Sequence, residues 1–364
     1  MPDLFKALLK AGRLARKGRT LSAALAVQRS LMAPAKPKRK SSIKAKTSRR
    51  KPPAAVRPQR PLPGSFTTDE FNGAAGKLSY RLYTPVGSTR RRLPLVVMLH
   101  GCSQFASDFA VGTNMNRLAD ELGFLVLYPQ QSQATNLARC WNWHDPRHQA
   151  RGSGEPAMIA ALTRHAMSLG RANPARVYIA GLSAGGAAAA IVAAAYPDLY
   201  VAVGVHSALA QGDIRSIGGA LSAMRGKGGA GPRGKLPRQL PTIVFHGDDD
   251  RVVHSSNAAG FLSNLERSRT GPLVSQSYSG RSKGGRNFNR KIYRSGTGEV
   301  LLEDWMIQGI GHGWSGGSHL GSYTEPAGPD ASREMLRFFL SRKRMPKKLA
   351  VARSPSSAQE KRTR

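Results

Sequence analysis

Gly181-Leu182-Ser183-Ala184-Gly185 combines a hydroxyl with a glycine two residues to either side. A serine hydroxyl is a poor nucleophile until a base takes its proton, and that base needs an acid to hold its tautomer. Flanking glycines leave room for a sharp turn that strains the serine backbone. In a glycine-rich chain the pattern alone is weak. Its context is stronger: Val177–Ala180 reads as a strand running into it, and Gly186 with four alanines follows as a helix. That strand–turn–helix is what a nucleophile elbow requires.

Acid and base should follow the serine in that order, each in a loop after a strand. Thr242–Phe245 reads as a strand and runs into His246-Gly-Asp-Asp-Asp250-Arg-Val-Val253. Asp250, three residues past the glycine, is far enough into the loop to clear the strand end. Asp248 and Asp249 read as solvated or turn-forming. The last strand, Leu301–Ile307, leads into Gly309-Ile-Gly-His312-Gly-Trp-Ser-Gly-Gly317, which makes His312 the expected base. Its rivals are His246 at a strand end, His254 entering a helix, and His319. An oxyanion hole needs two backbone N–H groups. Ala184, after the nucleophile, supplies one; Cys102, in the loop after Leu95–Leu99, is the first choice for the other, with Ser103 second.

These loops need a scaffold. Strands are expected at Leu78–Tyr83, Leu95–Leu99, Phe124–Tyr128, Val177–Ala180, Ala202–His206, Thr242–Phe245 and Leu301–Ile307. Several are short, β-branched and apolar throughout, as in strands buried on both faces of a parallel sheet. Helical patterns fall at Asn114–Leu122, Pro156–Leu169, Ala187–Tyr196, Ser256–Ser268 and Ala331–Leu340. The alternation predicts a doubly wound, mostly parallel α/β sheet flanked by helices.

The net charge of +35 sits mostly at the ends. Residues 1–60 carry 18 Lys and Arg against Asp3, and residues 341–364 carry nine against Glu360, leaving about +10 for the rest. A basic amphipathic helical leader is expected over 1–32, a disordered basic linker over 33–62, the folded domain over 63–341 and a disordered basic tail over 342–364. No run reaches the 18 or so apolar residues of a membrane span. A secretory h-region is weak: Leu21–Val27 is barely long enough, and Arg29 separates it from Ala33-Pro-Ala35. The arms are expected to attract polyanions, an anionic lipid surface or a coated polymer granule. They carry no aromatic interleaving, so specific nucleic-acid readout is not expected.

Five segments carry a family resemblance: Leu99-His-Gly-Cys-Ser-Gln104, Cys140-Trp-Asn-Trp143, Gly181-Leu-Ser-Ala-Gly-Gly186, His246-Gly-x-x-Asp250 with Val252-Val253, and Gly311-His-Gly-Trp-Ser-Gly-Gly317. Together, over roughly residues 78–340, the chain resembles the poly(3-hydroxybutyrate) depolymerase family, which also holds feruloyl and acetylxylan esterases. The resemblance implies an α/β-hydrolase fold, an ester substrate, no cofactor or metal, and triad roles for Ser183, Asp250 and His312. It departs from the family in the Gly- and Arg-rich stretch 211–240 and the basic stretch 281–291.

Cys102 and Cys140 lie in loops after consecutive strands, at the sheet edge where ligands bind. A disulfide between them would fix the oxyanion loop; two free thiols are the alternative. The bridge and the resemblance favour an extracellular or periplasmic location, the weak leader a cytoplasmic one. Trp141, Trp143 and Trp314 are candidates to line the substrate pocket, with core packing as the alternative. Three functions follow: a serine esterase on polyhydroxyalkanoate, its oligomers or short acyl esters, with feruloyl or acetyl polysaccharide esters as the second substrate; a serine peptidase on the same fold; and a polyanion-binding protein with a vestigial hydrolase domain.

Overall fold

Apolar β-branched runs need a surface on both faces, and the computed structural model gives them one. It describes residues 62–87, 92–212, 214, 216–227 and 239–344. The leader (1–32), the linker (33–62) apart from Leu62, and the tail (342–364) beyond Arg344 lie outside the described residues.

Ten strands form one sheet. In chain order they are β1 (Ser65–Gly73), β2 (Gly76–Thr84), β3 (Leu95–Leu99), β4 (Leu125–Gln130), β5 (Val177–Leu182), β6 (Ala202–His206), β7 (Thr242–Gly247), β8 (Leu273–Arg281), β9 (Asn287–Ser295) and β10 (Val300–Ile307). Their spatial order is β1-β2-β4-β3-β5-β6-β7-β10-β9-β8. The six middle strands are mutually parallel. An antiparallel pair flanks them at each end. A short parallel pair, β11 (Trp314–Ser315) and β12 (Thr324–Glu325), stands apart.

The helices are α1 (Ala106–Thr113), α2 (Met115–Leu122), α3 (Gly154–Leu169), α4 (Ala184–Ala195), α5 (Ile217–Met224), α6 (Ala259–Arg267) and α7 (Ala331–Leu340). They divide the apolar interior in two. Residues of α3, α4, α5 and α6 pack with one set of sheet residues, and residues of α1, α2 and α7 with the other. On α7, Met335, Phe338 and Phe339 are buried at helical spacing, and Phe339 stacks on Tyr178 with ring centroids 5.1 Å apart. The Asp330 side chain accepts from Arg333 N at 2.9 Å and caps the helix start.

All seven expected strands and all five helical segments are present, with ends shifted by at most three residues and Leu95–Leu99, Ala202–His206 and Ala331–Leu340 matched at both ends. The segment expected as one helix over Ser256–Ser268 begins as a 3₁₀ turn, Ser255–Ala258, and continues as α6. Strands β1, β8, β9, β11 and β12 and helices α1 and α5 lie outside the expected elements.

Candidate active site

The nucleophile segment leaves β5 and enters α4 through Ser183 alone. Ser183 holds φ 57° and ψ −123°, a conformation costly for a residue with a Cβ. A Cβ on Gly181 would collide with the Gly185 carbonyl, and one on Gly185 with the Leu99 and His100 carbonyls. The two glycines therefore let α4 sit against the end of β3, next to the loop that carries Cys102. Ser183 N donates to His206 O at 2.9 Å, fixing the elbow to β6.

Asp250 is buried in the loop after β7. One carboxylate oxygen accepts from Val252 N and Val253 N, each at 2.9 Å. The other lies 2.8 Å from His312 Nδ1 and 3.5 Å from His246 Nε2. Burial alone would raise its pKa, but the imidazoles of His246 and His312 hold it well below the usual carboxylate range. A carboxylate that stays charged fixes His312 with its proton on Nδ1, leaving Nε2 to accept. Among the described residues neither His312 Nε2 nor the Ser183 hydroxyl makes a hydrogen bond, so both are open for proton transfer.

The rival groups are engaged elsewhere. Asp248 accepts from Gly309 N at 2.7 Å, and exposed Asp249 pairs with Arg251 at 3.0 Å. His246 is buried and lies 2.9 Å from Val253 O, a brace for the acid loop. His254 accepts from Ser256 N at the start of the 3₁₀ turn. His319 lines the same cavity as His312, together with Tyr323, Thr324 and Glu325; its volume is about 330 Å³.

Two backbone N–H groups near the elbow make no hydrogen bond among the described residues. Ala184 is the first residue of α4, where an N–H has no intrahelical acceptor. Cys102 N is likewise unengaged, whereas Ser103 N donates to Ala138 O at 2.6 Å. Of the two candidate donors, Cys102 N is therefore the one left unengaged among the described residues. A disulfide joins Cys102 to Cys140 and ties this loop to the one after β4.

Two of the three tryptophans fit the core-packing alternative. Trp141 and Trp314 are fully buried, and their indole N–H groups donate to His100 O at 3.1 Å and Ser332 Oγ at 3.0 Å. They brace the loops from behind, because a buried indole must place its N–H on an acceptor. Trp143, 8% exposed, borders a narrow cavity with Ala187, Ile191, Leu209 and Ile214.

Sequence reading missed three contributors. His206 is buried between Phe245 and Trp314, gives its carbonyl to Ser183 N, and takes Ser315 N on Nε2 at 2.9 Å. It thus links the elbow to the histidine loop three residues beyond His312. Burial drives its pKa down to about 3, so Nε2 remains an acceptor. Asp108 accepts from Ser322 N at 2.9 Å and from Ser322 Oγ, and Gln104 Nε2 reaches Ser322 O at 3.1 Å. This joins the oxyanion loop to the wall of the His312 cavity. The placement of His206 at the C-terminal end of a strand was the only available sequence signal.

The parallel centre, its elbow and its acid and histidine loops define the α/β-hydrolase fold. An acetyl xylan esterase from Aspergillus awamori shares that fold, with a TM-score of 0.53 at 19% identity, covering 68% of this chain and 93% of that one. Residues 78–277 match the esterase PHB depolymerase family, and the chain belongs to it. It is 29% identical over 260 residues to poly(3-hydroxyalkanoate) depolymerase C of Paucimonas lemoignei, covering 67% of this chain and 60% of that protein. It is also 29% identical over 263 residues to feruloyl esterase B of Thermothelomyces thermophilus, covering 67% of this chain and 86% of that protein. The chain therefore spans less than two thirds of the depolymerase's length.

Proposed function

We propose that this chain hydrolyses carboxylic esters through an acyl-enzyme, with Ser183 as nucleophile, His312 as base and Asp250 as the acid that orients it. The 2.8 Å contact between His312 Nδ1 and Asp250 Oδ2 carries the reading, and the strained backbone of Ser183 at the end of a parallel strand supports it. Ser183 Oγ attacks the ester carbonyl as His312 Nε2 takes its proton. The electron pair moves to the carbonyl oxygen, which the N–H groups of Cys102 and Ala184 stabilise. Collapse breaks the bond to the leaving alcohol, which receives the proton from His312. Water then repeats the sequence on the acyl-enzyme and releases the acid.

The substrate we favour is polyhydroxyalkanoate, its oligomers or a similar short acyl ester, because the depolymerase of Paucimonas lemoignei is among its relatives. Feruloyl or acetyl esters of polysaccharides are the second reading, supported by the 86% of the Thermothelomyces feruloyl esterase that the alignment spans. The charge of +35 supports contact with an anionic surface as well.

A substrate panel tests this: short p-nitrophenyl esters, hydroxybutyrate oligomers, methyl ferulate and a peptide amide, with wild type and Ser183→Ala. Wild type should cleave short acyl esters, and the variant should lose at least about a thousandfold in kcat/KM. Activity retained in the variant would remove the mechanism and leave a vestigial hydrolase. Turnover of the amide alone would make the chain a peptidase.

A further inference from the structure

The peptide bond between Gly101 and Cys102 has two ends. Its N–H is the oxyanion donor assigned above, and its carbonyl belongs to Gly101. That carbonyl lies 2.8 Å from His100 Nδ1 and also accepts from Gln104 N at 3.3 Å. The tautomer of His100 follows from its neighbours. Nε2 accepts from Gln131 N at 3.1 Å, and Gln130 Nε2 approaches it at 3.3 Å. Gln130 is oriented by its own carbonyl oxygen, which accepts from Ala106 N at 2.6 Å. With Nε2 accepting, Nδ1 carries the proton and donates to Gly101 O.

We infer that His100 is a positioning residue for the reaction: by donating from Nδ1 to the Gly101 carbonyl it orients and polarises the peptide whose N–H stabilises the oxyanion. A hydrogen bond accepted at one end of an amide strengthens donation at the other. The imidazole itself is held on three sides. Its backbone carbonyl takes the Trp141 indole N–H. Gln131, which donates to its Nε2, is fixed by its side chain: Nε2 reaches buried Glu155 at 2.5 Å and Cys140 O at 3.2 Å. Glu155 also accepts from Asn142 N and Asn142 Nδ2, each at 2.8 Å. The chain Glu155–Gln131–His100–Gly101 therefore runs through the buried interior beneath the oxyanion loop. Burial holds the His100 pKa down to about 4, so the tautomer persists through neutral pH.

The inference rests on the esterase reading, and the experiment separates the two. Kinetics with p-nitrophenyl acetate and inhibition by a trifluoromethyl ketone, which forms a tetrahedral oxyanion, are measured for wild type, Ser183→Ala, His100→Gln and His100→Asn. Asn keeps an N–H near the Nδ1 position, whereas Gln does not. Losing one oxyanion donor outright costs about a hundred- to a thousandfold. Weakening one by His100→Gln should lower kcat about tenfold, with KM within about twofold and the ketone weakened by the same factor. His100→Asn should return kcat to within about threefold of wild type. Unchanged kcat in His100→Gln, or equal losses in both variants with ketone affinity intact, overturns the inference and leaves the esterase reading standing. If His100→Gln does not fold, His100→Asn alone decides, and a tenfold loss there overturns it. Activity that survives Ser183→Ala removes the esterase reading itself.

Discussion

The middle of the sheet and its β8–β9 ribbon are built from opposite materials. Strands β3, β5, β6 and β7 are buried at every position, and the loops leaving β3, β5 and β7 carry Cys102, Ser183 and Asp250. Strand β8 is exposed at seven of its nine positions, and the ribbon from Leu273 to Ser295 has six Lys and Arg and no acid. Strands covered on both faces are hard to displace, so the loops at their ends hold geometry to fractions of an ångström. The ribbon's inner strand β9 still contributes, since Arg290 pairs with Glu303 at 3.1 Å and Phe288 packs on Trp305. Its outer strand has little to hold it beyond the backbone ladder. Chemistry belongs to the first region and charge to the second.

That contrast should appear most sharply in the three adjacent acids. Asp250→Asn is expected to lower kcat by about a thousandfold or more, because His312 would lose the partner that fixes its tautomer. Asp248→Asn, one turn of loop away and exposed, should change kcat by less than about threefold. Steady-state kinetics of both variants decide it; comparable losses would make the acid assignment wrong.

A smaller loss is expected from the bridge. Replacing both Cys102 and Cys140 by Ala removes a crosslink with a sequence separation of 38. Stability should fall by about 4 kcal/mol in the chain-entropy account, read by urea unfolding. kcat should fall as well, because Cys102 carries an oxyanion donor. Lost stability with full activity would show that the loop holds its shape unaided.

Acid should weaken the centre before the ribbon, which has no histidine. Buried His100 and His206 have pKa values lowered to about 4 and about 3, against about 6.5 in an unfolded chain. Between these limits the unfolded state binds more protons, so stability is complete above about pH 6.5 and lost as pH falls toward 4 and 3. Asp250 adds nothing above the ordinary carboxylate pKa; its contribution is lost only below that value, at the acid end of the window. The melting temperature should therefore drop between pH 7 and pH 4, and a flat profile would contradict the buried, neutral assignment.

The smallest effect belongs to the ribbon. Ser277→Ala and Lys291→Ala face each other across β8 and β9. Each should shift stability by no more than about 0.5 kcal/mol and leave kcat for a soluble ester unchanged. A large loss of activity would mean the ribbon reaches the chemistry.

The same division explains what could be read from the sequence. Ile179, Val244 and Leu302 belong to short apolar runs that read as buried strands, and the motifs following those runs point to Ser183, Asp250 and His312. The ribbon was opaque because Ser275, Gln276, Ser277 and Ser279 give β8 no buried face to set a period. Helix α1 is hidden by Gly112 and Thr113, poor helix formers that are buried against the β12 region and the start of α7. For Trp141 and Trp314 the sequence leaves pocket and core open for a different reason. Sequence gives an aromatic near a catalytic loop but not the acceptor its indole N–H will find, and His100 O and Ser332 Oγ draw both inward. His206 was passed over because a histidine ending an apolar strand carries no sign of the loop it will meet.

Covalent labelling tests the catalytic assignment most directly. Wild-type protein is treated with diisopropyl fluorophosphate, and the adduct is mapped by peptide mass spectrometry alongside His312→Ala. One diisopropylphosphoryl group should be found on Ser183 in wild type, and labelling should slow by at least about a hundredfold in the variant. Labelling of a different residue, or an unchanged rate without His312, would contradict the account.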